Sequence, residues 1–210
     1  MKVSEGTQPA RRKSGRPLSF DRDAALDKAM LLFWRHGYET TSISDLTEAM
    51  GITAPSLYTA FGDKKRLFLE AASRYAGDPE AGGAAIDEAP TAYDAARSML
   101  HAAVVTFTGK TTPPGCLLAS ATASGSAGCA DVRAIVAEYR QRNRNRLHAR
   151  IERDVASALL PEDTDAAALA GLVITVILGL SALARDGVER ETLSRIADAS
   201  LSAWPTPTLS

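Results

Sequence analysis

The chain has 210 residues, 45% of them hydrophobic, with 24 Lys+Arg against 25 Asp+Glu for a formal net charge of −1. That is enough apolar material for one compact body, or one body plus a small module, and excludes several independent domains. Two cysteines, Cys116 and Cys129, cannot build a disulfide framework, no Cys/His set has zinc spacing, and no apolar stretch follows the basic N-terminus as in a secretory signal; the expected setting is a reducing cytoplasm.

The near-neutral total hides an asymmetry. Residues 1–75 hold 12 Lys+Arg against 9 Asp+Glu, an excess of +3, which leaves 12 against 16, or −4, for residues 76–210. Residues 1–17 form a Gly/Pro/Ser arm with Lys2, Arg11, Arg12, Lys13 and Arg16 against Glu5. Its two readings are minor-groove or phosphate contact, with Arg16 as a candidate, and an idle solvated tail.

From residue 20 onward apolar residues recur at helical spacing and no run alternates as a strand would, so the sequence predicts an all-α fold. Ser19 is the expected cap of a first helix with Asp21 and Asp23 in its first turn, an apolar face of Leu26, Ala29, Met30 and Phe33, and a stop at Gly37. Ser42 and Asp45 have capping-box spacing at the head of a short helix that Gly51 closes. Thr53 caps the next, and Pro55 falls in its first turn, where a missing N–H costs nothing. Gly62 ends it, and Asp63 caps a fourth helix with a buried stripe of Leu67, Phe68, Ala71, Ala72 and Tyr75. Gly77-Asp-Pro-Glu and Gly82-Gly83 read as a boundary, after which helices are expected at about 91–109, 116–124, 130–160, 164–185 and 189–203. The expected organisation is an arm (1–17), a first helical module (18–76), a second helical module (77–204) and a tail (205–210).

Two short helices joined at Gly51 are the parts of a helix-turn-helix. Ile52 and Leu57 anchor the second of them, which leaves Thr53, Ala54, Ser56, Tyr58 and Thr59 facing outward on a rod thin enough for the major groove. Short hydroxyls and a Tyr reach base edges, thymine methyls and phosphates; Pro55 stiffens the helix start, and Lys64 should fall on the phosphate backbone. With GRP at 15–17, the stretch "AMLLFWRHGYETTSISDLTEAMGITAPSLYTAFGDKKRLFLEA" resembles the N-terminal DNA-binding domain of TetR-family transcriptional regulators over about residues 15–76. That resemblance implies a three-helix DNA-binding domain followed by a helical C-terminal domain. It also implies DNA contact at Thr41, Ser42, Thr53, Pro55, Ser56, Tyr58, Thr59 and Lys64. Pro55-Ser56 and Ala60 depart from the residues common at those places.

The resemblance further implies a homodimer on palindromic operator DNA, and a pocket within residues 84–185 for a small-molecule effector. Tyr93, Met99, Phe107, Tyr139 and Asn143 offer such a pocket aromatic walls and a polar handle, while plain core is their bland reading. Cys116, following Pro-Pro-Gly, is a candidate sensor thiol. Residues 166–184 are uncharged, near the length that spans a bilayer, but rich in Ala, Gly, Ser and Thr; the expectation is a helix buried in protein and no membrane. Small residues at Gly171, Thr175 and Gly179 let a neighbouring backbone approach, and with Leu178, Ile196 and Leu201 they are the expected dimer face. The Arg-rich stretch 140–153 is expected to be a solvated face, with Glu138–Arg142 and Arg150–Asp154 as local pairs.

Three well-separated histidines and the lack of a phosphate loop, GxSxG or metal motif point away from an enzyme, and no metal or cofactor is expected. The rival reading is a dimeric small-molecule-binding or thiol-sensing module without operator recognition. A membrane-tethered protein is the third.

Overall fold

The computed structural model describes residues 20–121 and 130–205. Among them run ten helices: α1 (Arg22–His36), α2 (Ile43–Met50), α3 (Ala54–Phe61), α4 (Lys64–Ala76), α5 (Pro79–Asp87), α6 (Ala92–Phe107), α7 (Leu117–Ala121), α8 (Ala130–Ala156), α9 (Ala166–Arg185) and α10 (Arg190–Ser200), with a 3-10 turn at Leu201–Ala203. Ser19 lies outside the described residues, and Asp21 caps α1 by accepting from the amides of Asp23 and Ala24.

The expected boundary at 77–83 is reduced to Gly77 and Asp78, and from Pro79 onward the chain is helical. Gly82 and Gly83 lie inside α5, and the Arg146 guanidinium of α8 occupies the space a side chain at 83 would fill. Gly83 is there for close approach, a role that local sequence cannot separate from punctuation.

Two apolar clusters organise the molecule. In the first, Phe33, Leu46, Leu57, Leu67 and Phe68 hold α1 to α4 together, with the Phe68 ring edge-on to Phe33 at 5.3 Å and to Tyr38 at 5.1 Å. Leu117, Leu118, Val132 and Val136 belong to the same cluster, so the N-terminal core continues into α7 and α8. The second cluster joins α6, α8, α9 and α10 around Leu100, Leu147, Ile151, Leu180 and Leu193. Half-buried Cys116 packs against both.

The pair Arg150–Asp154 belongs to the interior, not to a solvated face. Asp154 also accepts from the amide of Ala92 at 2.6 Å, and Arg150 donates to the carbonyls of Ala89 and Pro90. Together they tie the head of α6 to α8, where removing one partner would strand a buried charge. Arg142 does pair with Glu138 at the surface, at 3.5 Å.

Candidate nucleic-acid interface

The helix-turn-helix is built from its caps. Ser42 Oγ accepts from the Asp45 amide at 3.1 Å while the Asp45 carboxylate accepts from the Ser42 amide at 2.8 Å, satisfying two orphan donors of α2. Bonding from the Ser42 amide, then its hydroxyl, holds the Asp45 carboxyl below its usual range. Gly51 closes α2 in the left-handed region (φ 72°, ψ 34°), with space around it for a Cβ; backbone angle, not crowding, calls for glycine.

Thr53 caps α3, accepting from the Ser56 amide at 3.4 Å, and its hydroxyl lies 2.9 Å from that of Ser56. Leu57 and Phe61 face the core, so Tyr58, 49% exposed, and Thr59 stand outward. The Thr59 hydroxyl donates back to the Pro55 carbonyl at 2.8 Å. The far end of α3 is held by Arg22, which donates to the Ala60 carbonyl and to both oxygens of Glu70 and lies 4.4 Å from the centre of the Phe61 ring. Lys64, half-buried, donates to the Glu39 carbonyl at 3.2 Å with its ammonium 4.7 Å from the centre of the Tyr38 ring.

The structure thus brings Ser42, Thr53, Pro55, Tyr58 and Thr59 to the surface as exposed residues, with Ala54, Ser56 and Lys64 half-buried beside them. Thr41 is different: it is 1% exposed, and its hydroxyl donates to the Gly37 carbonyl at 2.6 Å. Its side chain fastens the chain between α1 and α2 and is unavailable to DNA. Arg16 lies outside the described residues.

In the other two thirds, a cavity of about 460 Å³ is lined by Met99, Phe107, Cys116, Tyr139 and Asn143, joined by Tyr75. Burial pushes the Tyr75 phenol far above its usual range, and the neighbouring Cys116 adds to this. Tyr75 reads in the sequence as part of the buried stripe of α4; that it also reaches the cavity depends on α7 and α8. Tyr93 is not in this group. It is on the other side of α6, 40% exposed, edge-on to Trp204 at 6.0 Å.

Helix α9 is long and apolar enough to cross a membrane, yet it packs against α6, α8 and α10, and only 28% of its most apolar window is buried within the protomer. Leu172, Thr175, Leu178, Gly179 and Ala182 are exposed and Gly171 half-buried. Leu201 does not join that face, being 5% exposed inside its own protomer's core, where half-buried Ile196 also packs.

Residues 25–71 match the profile of bacterial regulatory proteins of the tetR family, and residues 92–199 match that of the tetracyclin repressor-like C-terminal domain. The chain belongs to the TetR family. It is 36% identical over 205 residues to the HTH-type transcriptional repressor ComR of Escherichia coli K12, covering 97% of this chain and 98% of that one. The HTH-type transcriptional repressor BdcR of the same organism is 38% identical over 71 residues, 34% of this chain and 36% of that one. A cysteine mutant of the TetR family regulator CifR, complexed with 26-bp double-strand operator DNA, superposes with a TM-score of 0.84 at 40% identity, over 91% of this chain and 100% of that chain. Like its family, this chain is a transcriptional regulator, with helix-turn-helix, all-α architecture throughout the described residues.

Proposed function

We propose that this TetR-family regulator represses transcription by binding a palindromic operator as a homodimer, and that a small molecule in the C-terminal cavity releases it. It acts in the cytoplasm and carries out no catalysis. Residues 18–76 serve as the DNA-binding domain and residues 77–204 as the ligand-binding and dimerisation domain. Ser42, Thr53, Pro55, Ser56, Tyr58, Thr59 and Lys64 form the DNA surface. Met99, Phe107, Cys116, Tyr139 and Asn143, with Tyr75, line the effector site. Gly171, Leu172, Thr175, Leu178 and Gly179 meet their copies across a twofold axis.

The observation that carries this reading is the outward face of α3. A short helix, capped at its head and clamped at its tail, exposes Tyr58 and hydroxyls with a cation at the neighbouring helix start. This suits major-groove entry with phosphate contacts at the flanks. One such helix reads few base pairs, and two held roughly 34 Å apart read a palindrome. The exposed apolar stripe of α9 supplies the means of holding them. Continuity of the N-terminal core with α7 and α8 gives a route by which a filled cavity biases the spacing of the two α3 helices.

The test is a mobility shift of a palindromic fragment from the protein's own upstream region. Two chains should bind each fragment, with affinity falling steeply as salt rises. A dimer that ignores such fragments at every salt concentration refutes operator recognition.

A further inference from the structure

At the junction of the two modules, a cleft of about 470 Å³ opens between the end of α1, the loop before α7 and the end of α9. Trp34, Arg35, Lys110, Thr111, Thr112 and Arg185 line it. With Pro113 and Pro114 the lining has eight residues, of which three are cations and none a carboxylate. Asp186, next in the chain to Arg185, caps α9 and does not line the cleft.

The cleft has fixed walls. Trp34 is 3% exposed, and its indole N–H donates to the Gly115 carbonyl at 2.9 Å, pinning α1 to the loop. Arg185 lies across that loop: its Nη2 donates to the Cys116 carbonyl at 3.2 Å and to the Trp34 carbonyl at 3.4 Å. Gly115 makes room for it, since with φ of +78° a Cβ there would stand 2.7 Å from Arg185 Nε. These bonds use one nitrogen of the guanidinium; Nη1 and Nε have no partner among the described residues. Arg35 and Lys110 likewise make no hydrogen bond or ion pair with any described residue.

Helix C-termini explain part of this charge, because Arg35 and Arg185 each sit in a last turn. They do not explain Lys110, which comes from a loop, nor the gathering of all three where three segments meet. Like charges converging in a walled cleft focus a positive potential, and a guanidinium with free donors suits planar, multidentate oxyanions.

We propose that this cleft binds a multiply charged oxyanion, a small phosphate- or carboxylate-bearing molecule, that bridges the DNA-binding module and the C-terminal module. Arg35 belongs to the first, Lys110 and Arg185 to the second. An occupant therefore favours one relative placement of the two, separately from whatever fills the cavity around Tyr139.

The full-length chain is melted in sodium phosphate, in citrate and in sodium chloride at matched ionic strength and pH. Phosphate or citrate should raise Tm above the chloride value by about 3 °C or more at tenfold saturation. A greater response to phosphate assigns a phosphate group, and a greater response to citrate assigns carboxylates. The R35Q/K110Q variant should lose the shift while keeping the chloride Tm and the helical circular dichroism. K110Q alone, at an exposed loop position, should lose at least half of it and serves if the double variant misfolds. An equal shift in folded variant and wild type, or none beyond chloride, overturns the proposal. None of these readouts involves DNA, so the operator reading stands or falls separately.

Discussion

Helices α3 and α9 both leave one face uncovered, and the two faces differ in kind. On α3 the core side is Leu57 and Phe61, while Thr53, Tyr58 and Thr59 face out. On α9 the outward side is itself apolar: Leu172 and Leu178 are 37% and 39% exposed, with Gly179 and Ala182 also open. Each helix has a Thr whose hydroxyl is turned back to its own backbone, Thr59 to Pro55 and Thr175 to Gly171, both at 2.8 Å. In α9 that bond hides the last polarity of the stripe; in α3 Tyr58 keeps polarity on the surface. An exposed apolar face gains by meeting another apolar face, whereas a polar one beside cations gains by meeting phosphates.

The sharpest way to break the contrast is to make the α9 face polar. Leu172→Asp should separate the protomers and, through them, lower operator affinity by about 100-fold or more, because an unpaired carboxylate would be buried at the interface. Sedimentation velocity checks the first effect and a mobility shift the second; a dimer that survives with full affinity removes α9 from the interface. Next in size, Tyr58→Ala should cost roughly 10- to 100-fold in operator affinity with the dimer intact. Measured across salt concentrations, unchanged affinity would show that α3 does not face DNA through Tyr58. Gly51→Ala probes the turn between the short helices. Its left-handed angle should cost about 1–2 kcal/mol, lowering Tm by about 2–8 °C in calorimetry.

The smallest effect is expected on acidification. Because the Asp45 pKa is depressed in the folded chain, its stabilisation is complete above the ordinary carboxylate range, about pH 4, and is lost as pH falls through the folded value. The Ser42 amide resonance should therefore move only below the ordinary range, and in Asp45→Asn that step should vanish. A midpoint at the ordinary carboxylate value would mean that the capping box does not persist in solution.

The caps of α2, α3 and α4 and the stripe of α4 were legible because each cap depends on neighbours a few residues away, whereas at α1 the cap is Asp21 and not the expected Ser19. Ser42 reaches Asp45, Thr53 reaches Ser56, and Asp63 reaches the amide of Arg66. Misreadings arose where packing against other elements, which local spacing does not reveal, decides whether a side chain is buried or exposed. Thr41 looked like a hydroxyl for DNA, but the fold turns it toward Gly37. Tyr93 looked like a pocket wall, yet it shares its side of α6 with His101, which meets Asp198 of α10. Leu201 looked like interface until the 3-10 turn after α10 carried it into the protomer's own core.

Sequence alone determined the all-helical class, the helix-turn-helix and the residues its recognition helix exposes, because helical period, caps and positive-φ glycines act over one or two turns. Tertiary structure alone decided that the N-terminal core runs on into α7 and α8, that Tyr75 reaches the cavity, and that Gly83 and Gly115 make room for Arg146 and Arg185. Those outcomes depend on which faces meet across long separations, and a face's periodicity shows that it is buried without showing by what.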